Sequence, residues 1–247
     1  MRTHRDKGSV AAAVHASLEQ RTRANEPRKY VGASAIGHVC DRYLYYVKER
    51  VAGAVVDARG ARIFEFGDAV EELVVRWLRD CDMIVHTHAK TGDQFFVMAR
   101  DKTLGGHCDG VVYWPLKDAY FLLEVKSHKD ARFKELKTGG LRETKFEHYA
   151  QMQVYLAPIM RLGHVIAKAL GRVRPLKIIG GLYVAVNKDT CELHVEEVYH
   201  DPETFSALHE RASRVSAAQQ PFPRIASSIT RFPCSWCTFK VHCYTDD

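Results

Sequence analysis

Two carboxylates and an ammonium, Asp109, Glu124 and Lys126, fall in a stretch whose pattern brings them together. The segment runs Gly-Gly-His-Cys-Asp109-Gly-Val-Val-Tyr-Trp, then Pro-Leu-Lys-Asp, then Ala-Tyr-Phe-Leu-Leu-Glu124-Val-Lys126. Two apolar runs around a Pro-containing turn read as a β-hairpin. With Pro115–Asp118 as the turn, Trp114 pairs with Ala119, and Asp109 then falls opposite Glu124, each five residues further from the turn. Opposed residues on one sheet face have Cβ atoms roughly 4.5–5.5 Å apart. Lys126, two residues past Glu124, points to the same face. Paired carboxylates bind hard ions such as Mg²⁺ or Mn²⁺. Such an ion acidifies water and stabilises charge on a phosphoryl oxygen, and the lysine would orient or deprotonate that water. The hairpin alone is equally compatible with three charged residues on a solvated sheet face.

The elements that must position these groups are readable. Ala61–Arg79 has helical periodicity, with Ile63, Phe66, Val70, Leu73, Val74, Trp77 and Leu78 on one face. Within it Gly67 costs helix stability and so implies close approach of a backbone or a substrate. Glu71, four residues on, shares that face and reaches toward a metal; alone, the helix leaves it equally readable as a surface residue. Strands are expected at Met83–His86, Phe95–Ala99, His107–Trp114, Tyr120–Ser127, Lys177–Asn187 and Cys191–Tyr199. Helices are expected at Val10–Arg23, from Ser34 (as N-cap) through Cys40 to Arg50, over residues 131–162, and at Pro202–Ala218. The pattern predicts an α/β fold: a central mixed sheet flanked by helices, with a Cys-rich C-terminal metal-binding tail. Residues 1–30 read as a helical or mobile N-terminal segment, and residues 31–247 as one domain.

Composition sets bounds. The chain has 247 residues and a net charge of +6, which favours a polyanionic partner. Basic residues cluster near Arg21–Lys29, Lys126–Lys137 and Arg161–Lys177. There is no apolar run long enough for a membrane span and no signal-peptide core, so a cytoplasmic location without membrane contact is expected, in a bacterium or a phage-infected host. Seven cysteines without a secretion signal point away from a disulfide framework and toward metal binding by any clustered subset. Cys234, Cys237 and Cys243 form such a subset. Ser34 opens a helix, and with Arg42 it forms a candidate cradle for a DNA 5′ phosphate, although an ordinary helix cap explains Ser34 as well. Trp236 and Phe239 are expected to pack around the cysteines.

In order along the chain, Gly67-x-x-x-Glu71, Gly-x-x-x-Asp109-Gly, Glu124-x-Lys126 and Gln151-x-x-x-Tyr155 resemble the motifs of the RecB-type PD-(D/E)xK nucleases. Cys108 stands where the signature has Pro. The resemblance spans about residues 32–243. It implies a restriction-endonuclease-like core in which Glu71, Asp109, Glu124 and the Val125 carbonyl bind Mg²⁺ or Mn²⁺. Lys126 would position the attacking water, and Gln151 and Tyr155 would orient Lys126 or the DNA strand. Cys40-Asp-Arg42-x-x-x-Tyr46 resembles the upstream cysteine motif of the iron–sulfur members, which makes Cys40 the fourth ligand to Cys234, Cys237 and Cys243. Spacing leaves zinc and a [4Fe–4S] cluster both open; the resemblance to CRISPR-associated and phage forms favours [4Fe–4S]. It implies a DNA exonuclease acting on single strands or DNA ends, with a recombination or CRISPR-adaptation protein as partner; if Ser34 and Arg42 hold a terminal phosphate, digestion runs 5′→3′. The alternatives are a structure-specific or CRISPR-adaptation endonuclease and a non-catalytic DNA-binding subunit. No GxxxxGK[ST] motor motif is present.

Overall fold

In a computed structural model of the chain, residues 9–22, 30–51 and 58–245 are described. Most of the basic cluster at Arg21–Lys29 and most of the loop before Gly60 lie outside them, as does the extreme N-terminus. The elements are α1 (Val10–Thr22), β1 (Val31–Gly32), α2 (Ala33–Ile36), α3 (Asp41–Lys48), α4 (Ala58–Asp80), β2 (Ile84–His86), β3 (Phe96–Met98), β4 (Leu104–His107), β5 (Gly110–Trp114), β6 (Ala119–His128), α5 (Asp130–Thr144), α6 (Phe146–Leu156), α7 (Ile159–Ala169), β7 (Ile178–Asn187), β8 (Leu193–Val198), α8 (Pro202–Ala217) and α9 (Lys240–Thr245).

The expected α/β architecture is present. A five-stranded mixed sheet has the order β2-β5-β6-β7-β8, with β6 and β7 parallel and the other pairs antiparallel. The apolar run of β6 makes it central, because both of its faces are buried. On one face Phe121, Leu123 and Val125 pack with Val70 and Val74 of α4. On the other, Leu122 meets Met152 and Tyr155 of α6, which is buried from Tyr149 to Leu156. The catalytic-looking strand is thus clamped between helices.

Four expectations need correction. First, His107–Trp114 is not one strand. Cys108 N–H donates to Phe95 O, whereas Asp109 N–H donates to Leu123 O, so the chain changes partners between them. β4 joins a three-stranded sheet, β1-β4-β3, and β5 the larger one. Second, residues 131–162 form three helices: Lys145 leaves helical geometry, and Pro158 stands before α7. Third, Ser34 caps nothing. Gly32 precedes α2, which ends at Ile36, and a Cβ at Gly37 would lie 2.5 Å from the Glu147 Cα, so tight packing against α6 bends the chain there. Fourth, the N-terminal half of α4 does not bury its apolar face: Ile63, Phe64 and Phe66 are exposed, and no atom stands within 4 Å of a Cβ built on Gly67. Among the described residues, no backbone outside its own helix approaches that glycine.

Two glycines therefore predict opposite outcomes. A Cβ at Gly163 in α7 would lie 2.1 Å from the Leu176 carbonyl oxygen. Gly163→Ala is expected to destabilise the fold by about 2 kcal/mol or more. Gly67→Ala, which meets nothing, is expected to stabilise by about 0.5–1 kcal/mol through helix propensity. Urea denaturation of both variants checks the pair; equal effects would contradict the close α7 contact.

Candidate active site

The observed hairpin has the register read from the sequence, Trp114 against Ala119 through Gly110 against Leu123. Asp109 lies one residue beyond this ladder. Its Oδ2 accepts the Val125 N–H at 2.7 Å, so the side chain takes over where backbone pairing ends. This fastens the aspartate beside Glu124 at the point where β5 and β6 part.

Glu124 is fully buried. Its Oε1 accepts from Lys126 Nζ and, at 2.6 Å, from Gln151 Nε2. Its Oε2 is buried without a partner. Gln151 Nε2 also lies 3.0 Å from Tyr155 Oη, and that hydroxyl donates to the His107 carbonyl at 2.6 Å. The spacing of four places Gln151 and Tyr155 on one face of α6, as the sequence implies. Burial and Glu124 push the Tyr155 hydroxyl far up, so it remains a neutral donor.

Charge is unbalanced here. Burial, with Asp109 and Glu71 adding, lifts Glu124 to about 7 against the pull of Lys126. Glu71 on α4 rises to about 7 by burial and by Asp109, so it belongs to the same electrostatic cluster. Asp109 is raised by burial, partly offset by Lys126 and the Val125 N–H. Burial depresses the Lys126 ammonium, but Glu124 and Asp109 more than offset this and hold it charged. Lys126 Nζ also lies 3.3 Å from the Val125 carbonyl. Three carboxylates thus face one cation, with a desolvated oxygen to spare. Carboxylate oxygens are the hard donors a divalent cation prefers, but among the described residues no three of these side chains are grouped closely enough to hold one.

The other nominated residues are placed differently. Ser34 is exposed on short α2. Arg42 is buried, with Nε donating to Tyr46 Oη at 2.7 Å and Nη1 to Phe222 O at 3.2 Å. Its guanidinium is bonded within the protein, and Arg42 also borders an open cavity with Arg224 and Ser227. Cys40 precedes α3, and Cys40, Cys234, Cys237 and Cys243 line one cavity with Tyr43 and Tyr46. Phe239 is buried against Tyr43 and Tyr46, as expected, but Trp236 is 85% exposed and packs on nothing there. Among the described residues, no three His, Cys, Asp or Glu side chains are arranged around a single metal ion.

Sequence reasoning missed a second polar chain on the same face. Tyr183 of β7 lies beside Glu124, and its Oη is 2.8 Å from His128 Nε2 and 2.7 Å from His148 Nδ1. Burial, then Lys145 and Lys126, lowers His128 to about 4; burial, then Lys126, lowers His148 to about 3. Both rings are neutral near pH 7, and the single hydroxyl donates to one while accepting from the other. The signal was present: His128 follows Lys126 by two in a strand, and His148 precedes Gln151 by three in a helix. Asp68 was missed as well; its charge acts on both Asp109 and Glu71.

The raised Glu124 sets a pH dependence. Between the ordinary carboxylate range and about 7, the folded protein retains a proton that the unfolded chain has released. Its contribution to stability is therefore present at low pH and lost as pH rises through about 7. In metal-free protein, Glu124→Gln is expected to raise stability by about 1–3 kcal/mol near pH 8 and by much less near pH 5. Urea denaturation at the two pH values measures this. A variant less stable than the parent near pH 8 would show that Lys126 fully compensates the carboxylate.

No family model matches the chain, and no curated protein matches it. Among solved structures it is similar to SSO0001, with 13% identity and a TM-score of 0.52 over 96% of this chain and 97% of that one. It is also similar to an alkaline exonuclease, LHK-Exo, from Laribacter hongkongensis, with 17% identity and a TM-score of 0.49 over 81% of this chain and 91% of the other. For LHK-Exo in complex with dAMP the values are 16% and 0.46, over 81% and 89%. At this identity, the likeness to SSO0001 is one of fold, extending over nearly the whole of both chains.

Proposed function

We propose that the protein is a metal-dependent deoxyribonuclease of the RecB-like PD-(D/E)xK type, acting as an exonuclease on DNA ends in the 5′→3′ direction. One observation carries the reading: Glu124 is buried beside Asp109 and Glu71 with an unpartnered carboxylate oxygen, and Lys126 touches its other oxygen. A structural ion-pair network would pair that oxygen; a metal site leaves it for the ion.

Glu71, Asp109, Glu124 and the Val125 carbonyl would hold Mg²⁺ or Mn²⁺. When bound, the ion supplies Lewis-acid stabilisation of phosphoryl charge and lowers the pKa of water. The chain's own residues do the rest. Val125 N–H fixes the rotamer of Asp109, and Gln151 fixes Glu124. Tyr155, anchored on the His107 carbonyl, holds Gln151 from behind. Lys126 keeps its proton and presents it to the attacking water and the developing negative charge. The exonuclease mode rests on the family resemblance, and the 5′→3′ polarity on a terminal phosphate held by Ser34 and Arg42.

The second part of the proposal is a structural [4Fe–4S] cluster on Cys40, Cys234, Cys237 and Cys243. In support, all four thiols line one cavity, and Cys237 interacts electrostatically with the other three. Burial raises the Cys40 and Cys237 thiols, the mark of an apolar enclosure. Ligation would tie the residue before α3 to the C-terminal tail, across nearly the whole chain.

Asp109→Ala, Glu124→Ala, Lys126→Ala, or EDTA on the parent protein, is expected to lower DNA hydrolysis about 10²-fold or more. Binding to DNA is expected to persist, because phosphate contacts dominate affinity. End-labelled linear DNA and closed circular DNA, each with Mg²⁺ or Mn²⁺, provide the assay. Equal digestion of the circle would replace the exonuclease by the endonuclease alternative, and full activity of Asp109→Ala would overturn the site.

Anaerobically prepared protein is expected to carry about four irons per chain, as a Cys₄-ligated [4Fe–4S] centre requires. Alanine at any of the four cysteines should lower iron content and thermal stability, whereas alanine at Cys81 or Cys191 should change neither. Stoichiometric zinc without iron would falsify the cluster.

A further inference from the structure

The loop from Gly171 to Lys177, part of the basic cluster at Arg161–Lys177, gathers at the far end of β6 from the carboxylates. Tyr120 and Glu124 lie on the same strand and the same face, four residues apart, so about 13 Å separates them along the strand. At Tyr120 an open cavity of about 530 Å³ is lined by Tyr113, Tyr120, Arg172, Arg174 and Lys177. Its floor is built rather than loose. Arg172 Nη1 donates to Tyr120 Oη at 2.6 Å, and the guanidinium lies 5.8 Å from that ring's centroid. Tyr113 packs on Tyr120 with centroids 5.0 Å apart, and its hydroxyl donates to Asp118 at 2.8 Å.

The charge in this cavity is one-sided. Asp118 is the only carboxylate among the lining residues, and Tyr113 occupies one of its oxygens. The side chains of Arg174 and Lys177 are exposed, and neither has a hydrogen-bond or ion-pair partner among the described residues. Lys90 adds a further cation, since its Nζ lies 2.6 Å from where a Cβ of Gly171 would stand. The nearby His86 is pushed down by burial and then by Arg172 and Arg79, which reflects the same positive field. Like charges brought together without counter-charges repel, and a polyanion removes that cost.

We propose that this tyrosine-floored basic cavity is a second DNA contact that grips backbone phosphates of the strand whose other part reaches the carboxylates. Arg172, fixed on Tyr120, would set the position of one phosphate. Arg174 and Lys177, which have no other partner, would neutralise its neighbours. The site would add sequence-independent affinity and keep the substrate attached between successive cleavages. This rests on the nuclease reading, because DNA is the polyanion that reading supplies.

The test is DNA binding by fluorescence anisotropy across a salt series, with EDTA to prevent cleavage and a labelled oligonucleotide of about 30 nucleotides as probe. Each phosphate contact contributes about 0.7–0.9 to the slope of log affinity against log salt. Arg174→Ala/Lys177→Ala is expected to make the slope shallower by about 1.4–1.8 and to weaken binding about tenfold or more at moderate salt. The control, Arg100→Ala/Lys102→Ala, removes the same formal charge from the exposed turn between β3 and β4 and is expected to leave the slope nearly unchanged. Equal slopes for the two double variants would overturn the second site while leaving the nuclease reading intact. A parent protein that does not bind DNA at all would overturn both.

Discussion

A carboxylate held out of water, with one oxygen bonded and the other not, is the constraint on which the rest of this structure turns. Glu124 sits on the central strand, under α6 and beside Asp109, where neither solvent nor a second donor reaches Oε2. Desolvation of a charged group costs several kcal/mol unless it is paired. The fold meets that cost only in part, through Lys126 and Gln151. The remainder appears as the upward shifts of Glu124 and Glu71 and as the retained charge of Lys126. A site tuned this way is destabilising by itself.

Around that point the architecture is organised to prevent relaxation. Asp109 cannot swing away, because its oxygen replaces a rung of the β-ladder at Val125. Gln151 and Tyr155 cannot shift without breaking the bond to the His107 carbonyl. Across β7, Tyr183 joins two neutral histidines next to Glu124 and anchors the N-terminal half of α6 to β6. Preorganisation of this kind is what electrostatic stabilisation of a reaction requires, since donors already in place need no reorganisation.

The C-terminal tail follows a different logic. It contains little regular structure and is held to α3 by aromatic packing of Phe239 on Tyr43 and Tyr46 and by Arg42, while Arg224 donates to the Cys243 carbonyl within the tail itself. Four thiols line one cavity beside these contacts. A segment with so small an apolar core gains from a cross-link to the main body. Trp236 stays outside this packing, whereas His242 joins it against Tyr46.

Local pattern alone was enough for the hairpin register, the shared face of Gln151 and Tyr155, the existence of most helices and strands, and the α/β class. These depend on periods of two and 3.6 residues and on turn chemistry, which neighbours in sequence control. The break between Cys108 and Asp109 was not legible, because it depends on which distant strand, at Phe95 or Leu123, offers the carbonyl. Nor was the burial of Arg42, an ordinary helix-surface arginine until Phe222 arrives from the other end of the chain. The Tyr183–His128–His148 chain and the basic cavity at Tyr120 likewise join residues from separate elements. Spacing determined which side chains share a face; only packing of one face on another decided which were desolvated, and desolvation sets their charge and their chemistry.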